Sequence, residues 1–350
     1  MPDLDFSHGG NIYAFKAEGK SSVLDFSASI NPLGLPLAAK EMMLRRIDKV
    51  THYPDPDAKG VTEAVSRHWR IPQENILVGN GSIELIYLIT QAKRPKSATI
   101  AVPTFSEYER ACRLVKSKIS FICLKEKDGF CLAAKNIAKS DIFFLCNPNN
   151  PTGNLVCRDP LHIKNLRARL IVVDESFMDF LPDESRHSLL KEAVGSKNLI
   201  VIRSFTKFFA FAGLRIGYLV AHEDTILALK RYLIPWSVNT LAQFSAAEAL
   251  ADRRYQDKTR FFIEKERRYL SGEVGKIEGL HPYPSEANFI LIRINDNELT
   301  SLLLAQRLIR SGILIRDCAN FRGLNDKYFR VAVRSRPENL KLLGALRQIM

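Results

Sequence analysis

Short apolar runs alternate with helical patterns through the middle of the chain. The runs are rich in β-branched and aromatic residues, and they lie at 98–103, 119–124, 142–148, 170–177, 199–207 and 216–220. Several are apolar throughout, which is typical of strands that are covered on both faces. Helical patterns separate some of them, at 106–117 and 161–170. The pattern therefore predicts an α/β fold with a mostly parallel central sheet.

The pattern changes after about residue 222. A charged helical stretch over roughly 240–275 precedes a second set of short strands, which lie at 288–294, 312–318 and 329–335. A final helix follows at 337–350. This order predicts a smaller α+β domain. We expect three parts: an N-terminal arm over 1–35 that packs on the small domain, a large domain over 36–238 and a small C-terminal domain over 239–350.

Three of the predicted strands are apolar along their length but polar at their carboxyl ends. An asparagine-rich turn (147–150) follows one strand, Asp174 ends the next, and Ser204, Thr206 and Lys207 end the third. In open α/β sheets, ligands bind outside the carboxyl ends of the strands. We therefore expect an amide, a carboxylate and an amine to meet at one edge of the sheet.

Composition limits the class of protein. Of the 350 residues, 46% are hydrophobic and 25% are charged, which is ordinary for a globular protein. The first residues show no basic segment followed by an apolar run, and no apolar stretch reaches the roughly 20 residues of a membrane span. The six cysteines show no CxxC spacing. These features predict a cytoplasmic protein with reduced thiols, no metal site and no membrane partner.

The net charge of +13 makes nucleic acid a partner to consider. The basic residues are mixed with acidic ones, as in 45–49 and 264–268, and only 93–96 is a compact basic group. We interpret that group as a solvated loop and the surplus charge as a field that attracts small anions. No nucleic-acid partner is predicted.

Lys207 is the first candidate for chemistry. Arg215 follows it two helical turns later, and four phenylalanines surround it in sequence, at 205, 208, 209 and 211. An amine nucleophile needs a lowered pKa, which apolar surroundings and a nearby cation both provide. The alternative is a lysine that extends from a strand end to solvent.

Asp174 is expected at a buried strand end, where a carboxylate needs a cationic partner. A protonated pyridine nitrogen, as in pyridoxal phosphate (PLP), would be such a partner. A helix-capping role is the alternative. Asn150, in the turn CNPNNPTG, could donate to the ring oxygen of that cofactor.

A phosphate site is predicted where GNGSIELIYL begins a helix. The backbone N–H groups of Gly81, Ser82 and Ile83 would point outward there, although a plain helix N-cap by Asn80 or Ser82 is the simpler interpretation. Hydroxyls and a guanidinium would complete the phosphate cup, and the candidates for these are Ser204, Thr206 and Arg215.

Taken together and in this order, these motifs resemble the fold-type I PLP enzymes of the aspartate-aminotransferase branch. The resemblance covers essentially the whole chain, and S-F-T-K-x₅-G-L-R-x-G-Y is its most specific motif. It implies a Schiff-base role for Lys207, a contact of Asp174 with the pyridine nitrogen and a contact of Asn150 with the ring oxygen. It also implies that Tyr108 stacks on the cofactor ring, whereas periodicity alone would make Tyr108 a core residue.

Within that branch, several stretches look closer to the L-threonine O-3-phosphate decarboxylases of cobamide biosynthesis than to the histidinol-phosphate aminotransferases. Among them are HGGN (8–11), DFSASINPLG (25–34) and YFRVAVRS (328–335). Phe177 stands where the aminotransferases usually have tyrosine. The resemblance therefore implies PLP-dependent decarboxylation of O-phospho-L-threonine, with O-phospho-L-serine decarboxylation or a histidinol-phosphate-type aminotransferase as alternatives.

The same resemblance implies a set of substrate contacts, namely His8, Gly9, Asn31, Asn150, Arg316 and Arg330. Two arginines suit a substrate with two anionic groups, because a guanidinium can bind carboxylate or phosphate with two hydrogen bonds. We assign the phosphate to Arg316 and the carboxylate to Arg330. Tyr53 resembles the residue that reaches the cofactor phosphate of the partner subunit, which predicts a homodimer with shared sites.

Overall fold

The structure is a computed structural model that describes residues 8–13, 23–133, 139–164 and 166–350. Strand β1 (Leu24–Asp25) belongs to a small separate sheet. The next seven strands form the main sheet: β2 (Ile76–Gly79), β3 (Ser97–Val102), β4 (Lys118–Cys123), β5 (Ser140–Cys146), β6 (Ala168–Asp174), β7 (Leu199–Ser204) and β8 (Gly217–Ala221).

The strands of the main sheet follow the order β2-β8-β7-β6-β5-β3-β4. Strand β8 is antiparallel to both of its neighbours, and all other pairs are parallel. This arrangement confirms the predicted α/β class with a mostly parallel sheet. It also places β5, β6 and β7 side by side, so that their carboxyl ends lie at one edge.

Both faces of the main sheet are buried, which explains the apolar runs. Along β5, Ile142 and Phe144 belong to the core on one face, whereas Phe143 and Leu145 belong to the core on the other. Twelve α-helices are found in the described residues, besides five short 3-10 helices. They are α1 (Leu37–Arg45), α2 (Lys59–Trp69), α3 (Gly81–Lys93), α4 (Glu107–Leu114), α5 (Pro160–Lys164), α6 (Leu190–Gly195), α7 (Phe205–Phe208), α8 (Glu223–Lys230), α9 (Thr240–Ala251), α10 (Arg253–Val274), α11 (Ser301–Arg310) and α12 (Arg336–Ile349).

The remaining strands lie in the C-terminal third. Strands β9 (Leu280–Pro282), β10 (Phe289–Ile294), β12 (Arg316–Asp317) and β13 (Tyr328–Ala332) form an antiparallel sheet in the order β12-β13-β10-β9. Strand β11 (Ile313–Leu314) pairs instead with β1, parallel, through Leu24↔Ile313 and Asp25↔Leu314. The single strand expected over 312–318 is therefore split between two sheets.

The domain boundaries at 36 and 239 remain predictions. The main sheet lies within 76–221 and the antiparallel sheet within 280–332, on either side of the second boundary. Of the predicted arm, 1–7 and 14–22 lie outside the described residues. No helix in the described part of the chain is both long and apolar enough to span a bilayer.

Candidate functional site

A cavity of about 180 Å³ opens beyond the carboxyl ends of β5, β6 and β7. Most of the residues selected from the sequence line it: His8, Gly9, Ser82, Ile83, Tyr108, Asn150, Asp174, Ser204, Thr206, Lys207, Arg215, Arg316 and Arg330. Side chains from both halves of the chain therefore meet in one cavity. Other lining residues were not selected from the sequence, and they include Ser27, Ser29, Phe105, Ser176 and Phe321.

Lys207 lies on the short helix α7, directly after β7. The Ser204 side chain accepts a hydrogen bond from the Thr206 backbone N–H and so caps this helix, while Phe205 and Phe208 are buried beneath it. Burial, together with the positive charges of Arg330 and Arg215, lowers the pKa of the Lys207 amine to about 8. The neutral amine, the form that acts as a nucleophile, is therefore a far larger minority near physiological pH than for an ordinary lysine.

Asp174 ends β6 and is buried. Tyr108 Oη donates to its Oδ2 at 2.7 Å, and the Ser176 backbone N–H donates to its Oδ1 at 2.9 Å. Burial raises the pKa of this carboxyl, and the hydrogen bonds counteract only part of that effect. Within the described residues no salt bridge reaches this carboxylate, although the nearby charge of Lys207 also acts to lower its pKa.

The Tyr108 ring is fully buried and stacks on Phe144, with ring centroids 5.2 Å apart and an angle of 9° between the planes. Its hydroxyl contact with Asp174 was not predicted. A stacking role on a cofactor ring remains a prediction, and Phe105, which lies edge-on to Tyr108, lines the same cavity.

The start of α3 forms a cradle beside Lys207. Gly81 has φ +79°, and a Cβ atom there would lie 2.7 Å from Nη2 of Arg215. Only glycine lets the guanidinium approach the helix N-terminus this closely. Ser82, Ile83 and Thr206 line the same cavity as Arg215. Backbone N–H groups, hydroxyls and a guanidinium are therefore gathered where a phosphate would bind.

Two arginines on neighbouring strands also line the cavity. Arg316 on β12 and Arg330 on β13 stand directly opposite each other in the antiparallel register. Like charges in such positions destabilise a sheet unless an anion separates them. Burial, together with the charge of Arg316, lowers the pKa of Arg330 to about 10. This pair is therefore suited to a ligand with more than one negative group.

Arg330 also connects three segments of the chain. One of its Nη atoms donates to Oδ1 of Asn150, and the other donates to the Ser27 backbone oxygen at 2.9 Å. The bond to Oδ1 fixes the Asn150 amide, which leaves its Nδ2 as the donor toward a ligand. The Arg330 Nε atom is buried and has no hydrogen-bond partner in the described residues.

Three of the predicted contacts, Gly81, Asn31 and Tyr53, are not among the residues that line the cavity. Asn31 is buried, and its Nδ2 donates to the Phe208 backbone oxygen at 2.8 Å and to Thr259 Oγ1 at 3.0 Å. Its backbone N–H donates to the Lys207 oxygen, so it braces the turn that carries the lysine. The Tyr53 ring is 81% exposed and stacks on Trp236, outside the cavity of its own chain.

A buried ionic cluster beneath the cavity escaped sequence analysis. Arg203 is fully buried; its Nε donates to Glu175 Oε2 at 2.9 Å, and its Nη1 donates to Glu184 Oε2 at 3.1 Å. Glu175 follows Asp174, and Arg203 precedes Ser204, so this bridge joins the two strand ends that hold the candidate residues. A charged residue inside the apolar run LIVIRSF was the available sequence clue.

Comparison with known proteins agrees with this geometry. The family model described as "Aminotransferase class I and II" matches residues 21–346. Threonine-phosphate decarboxylase of Salmonella typhimurium is 38% identical over all of this chain and 98% of its own length. The chain belongs to the class I and II aminotransferase family. The predicted fold-type I resemblance is thereby confirmed.

Other members of the class I and II aminotransferase family are also similar. Histidinol-phosphate aminotransferase of Methanocaldococcus jannaschii is 30% identical over 97% of this chain and 91% of its own. The solved L-threonine-O-3-phosphate decarboxylase from Porphyromonas gingivalis has a TM-score of 0.83 at 29% identity, covering 93% of this chain and 99% of that one. Histidinol-phosphate aminotransferase from Clostridium acetobutylicum has a TM-score of 0.85 with the same identity and coverages.

Class I and II aminotransferases depend on PLP. The residues of this chain fit that cofactor at three places. The cradle at Gly81 and Arg215 suits its phosphate, the neutral amine of Lys207 suits its aldehyde, and the buried Asp174 suits its protonated ring nitrogen. The cofactor phosphate would accept hydrogen bonds from the cradle, its aldehyde would react with the Lys207 amine, and its protonated ring nitrogen would be a cationic partner for Asp174.

Proposed function

We propose that the chain decarboxylates O-phospho-L-threonine to (R)-1-aminopropan-2-ol O-phosphate, with PLP as cofactor, as a step toward a cobamide side chain. The observation that carries this proposal is the pair of opposed arginines, Arg316 and Arg330, in the cavity that also contains Lys207. A substrate with both a phosphate and a carboxylate places one anion on each guanidinium. The 38% identity with a threonine-phosphate decarboxylase over the full chain supports the same reaction.

The roles of the cavity residues follow from their positions. Lys207 would hold the cofactor covalently through Nζ, Asp174 would face its ring nitrogen, and Gly81, Ser82 and Arg215 would hold its phosphate. Asn150 would donate from Nδ2 to the ring oxygen. When bound, PLP supplies an electron sink conjugated to the substrate Cα.

The arginines decide which bond at Cα breaks. Arg316 would hold the phosphate and Arg330 the carboxylate, so that the Cα–carboxylate bond is the one presented for cleavage. When that bond breaks, carbon dioxide would leave and its electron pair would remain at Cα. The Lys207 amine would then deliver a proton to Cα from Nζ. A water molecule could deliver the same proton.

A second candidate is a histidinol-phosphate-type aminotransferase, favoured by the 30% identity with such an enzyme. Phe177 argues against it. This side chain is buried, lines the cavity and packs edge-on against Phe289, with ring centroids 5.0 Å apart. A phenylalanine offers no hydroxyl to the cofactor ring at this position. Decarboxylation of O-phospho-L-serine is a closer variant, since one methyl group changes binding by only about 1–3 kcal/mol.

Product analysis separates these reactions. The PLP-loaded protein is incubated with O-phospho-L-threonine, O-phospho-L-serine or histidinol phosphate, with and without 2-oxoglutarate. We expect carbon dioxide from O-phospho-L-threonine whether or not the oxoacid is present, and none from the Lys207→Ala variant. Glutamate formation without carbon dioxide would refute the decarboxylase proposal and favour the aminotransferase.

We also propose that the active unit is a homodimer. Tyr53 and Trp236 form an exposed aromatic pair, and exposed apolar side chains on and next to α1 lie near in sequence, including Leu44, Ile47 and Val50. Contiguous exposed apolar surface is characteristic of an interface. Sedimentation should give twice the chain mass, and Tyr53→Ala should weaken PLP binding. A monomer that binds PLP fully would contradict the shared site.

A further inference from the structure

Glu107 is a buried carboxylate at the edge of the cavity, and the proposed reaction gives it no role. It lies in the first turn of α4 and is 1% exposed. His8 Nε2 contacts its Oε1 at 2.8 Å, and the Tyr87 hydroxyl donates to its Oε2. Arg110 Nη1 lies 3.6 Å from Oε1. Three donors from three separate segments thus converge on one carboxylate.

The contacts of Glu107 favour its ionised form. Burial alone would raise its pKa, but the hydrogen bonds from His8 and Tyr87 and the charge of Arg110 outweigh burial, so the pKa is lowered. The positive end of the α4 dipole acts in the same direction. A fixed negative charge therefore lies beside the His8 ring.

The His8 ring is held on several sides. Nε2 is bound to Glu107, and the ring packs against Phe105 with centroids 5.3 Å apart. The following backbone is fixed as well, because a Cβ atom on Gly9 would overlap the Ser27 carbonyl, and the Gly10 N–H donates to Ser27 Oγ at 2.8 Å. His8 is thereby held at the cavity wall although its side chain is 42% exposed.

Binding of Nε2 to a carboxylate defines the role of the other ring nitrogen. An ionised carboxylate can only accept, so Nε2 carries a hydrogen and donates a hydrogen bond to Glu107, and Nδ1 is the nitrogen that remains for a ligand. A proton on Nδ1 makes the ring a cation that can donate to an anionic oxygen, and Glu107 balances that charge. Arg316 and Arg330 line the same cavity, so a third donor is added to the region that we assign to the substrate anions.

We propose that Glu107 is a positioning residue that fixes His8 as a donor to the phosphate of the substrate and so selects phosphorylated amino acids. The inference rests on the proposed function only in that the substrate carries a phosphate. It does not depend on whether carbon dioxide or an amino group leaves, because the phosphate is remote from the bond that breaks.

The variant Glu107→Gln tests this role. It retains the shape of the side chain but removes the charge. In PLP-loaded protein, where the cofactor site is filled, calorimetry should show that inorganic phosphate binds about tenfold more weakly than to the unchanged protein, the loss expected for one charge-assisted hydrogen bond. The KM for O-phospho-L-threonine should rise by a similar factor with kcat within about twofold, whereas turnover of L-threonine should not change.

Coupling to His8 separates positioning from a structural role. His8→Ala should give the same loss of phosphate affinity, and Glu107→Gln in the His8→Ala background should add nothing further. Tyr87→Phe, which removes one donor to Glu107, should give a smaller loss. Glu266→Gln is the matched control, because Glu266 is a buried carboxylate bound by Arg336 away from the cavity, and it should leave phosphate affinity unchanged.

Several outcomes would overturn the inference. Unchanged phosphate affinity in either His8→Ala or Glu107→Gln would do so, as would an additional loss in the double variant. An equal rise of KM for the phosphorylated and unphosphorylated amino acids would mean that Glu107 only supports the fold. If Glu107→Gln fails to fold, as shown by loss of the PLP absorption band, the phosphate affinities of His8→Ala and Tyr87→Phe test the inference instead. If the unchanged protein releases no carbon dioxide, the proposed reaction fails, while the phosphate titration still tests Glu107.

Discussion

The Lys207 amine should react as a neutral nucleophile in the PLP-free protein. Burial is the main reason that its pKa falls from 10.5 to about 8. A shift of this size corresponds to about 3 kcal/mol. At pH 8, about half of the Lys207 amines are then neutral, compared with well under about 1% for lysines of ordinary pKa. The neutral fraction should thus exceed that of ordinary lysines by on the order of 100-fold.

Neighbouring charges set the direction in which variants move this pKa. Arg330 and Arg215 repel the ammonium form, whereas Asp174 and Asp25 stabilise it. Replacing Arg330 by methionine should therefore raise the pKa of Lys207, and Asp174→Asn should lower it. Competitive acetylation between about pH 6 and 11, with each lysine followed by peptide mass spectrometry, measures these values. The exposed Lys40 is the reference within the same sample.

Two results would refute this reasoning. If the acetylation of Lys207 follows the same pH dependence as that of Lys40, burial does not depress the pKa. If Arg330→Met shifts the midpoint of Lys207 to lower pH, the electrostatic contribution has the wrong sign. Total acetylation yield is not decisive, because the cavity also limits access of the reagent.

Three further expectations concern the framework of the site. Arg203→Met should lower the free energy of unfolding by about 3–5 kcal/mol, because it leaves Glu175 buried without a cation, whereas Glu184 keeps its ion pair with Arg260. The double variant with Glu175→Gln should recover part of the melting temperature, and no recovery would contradict this expectation. Gly9→Ala should raise the KM for the phosphorylated substrate, because its Cβ atom would overlap the Ser27 carbonyl. Gly60→Ala is the control and should leave the KM unchanged, because no atom lies within 4 Å of a Cβ atom at that position. Asn31→Ala should lower the free energy of unfolding by about 1–3 kcal/mol and weaken PLP binding in a fluorescence titration, because the Phe208 backbone oxygen loses a hydrogen-bond donor beside Lys207. Unchanged PLP affinity would show that the turn keeps its conformation without Asn31.

Local pattern was enough to predict the core of the site. Parallel strands with both faces buried appear as continuous apolar runs, so Asp174 and Lys207 stand out as polar groups at their ends. The order of the strands then brings those ends together, as β5, β6 and β7 are neighbours. The helix start at Gly81 was recognisable for a similar local reason, since small residues precede an apolar helical run.

Contacts between distant segments could not be predicted in the same way. His8 meets Glu107 across 99 positions, and Arg330 meets Asn150 across 180. Asn31 was expected at the substrate, but its amide lies in the interior, a distinction that depends on packing rather than on residue type. The Arg203 cluster was missed because a charged residue in an apolar run can be either buried with partners or placed at an exposed edge.

The fate of the hydrogen on Cα tests the central claim most directly. Decarboxylation breaks the Cα–carboxylate bond and leaves the Cα–H bond intact, whereas transamination must remove that hydrogen. The PLP-loaded protein is given O-phospho-L-threonine deuterated at Cα in ordinary water. We expect an amine product that retains the Cα deuterium and gains one solvent proton, with carbon dioxide released in equal amount. Loss of the deuterium to solvent with transfer of the amino group would contradict it.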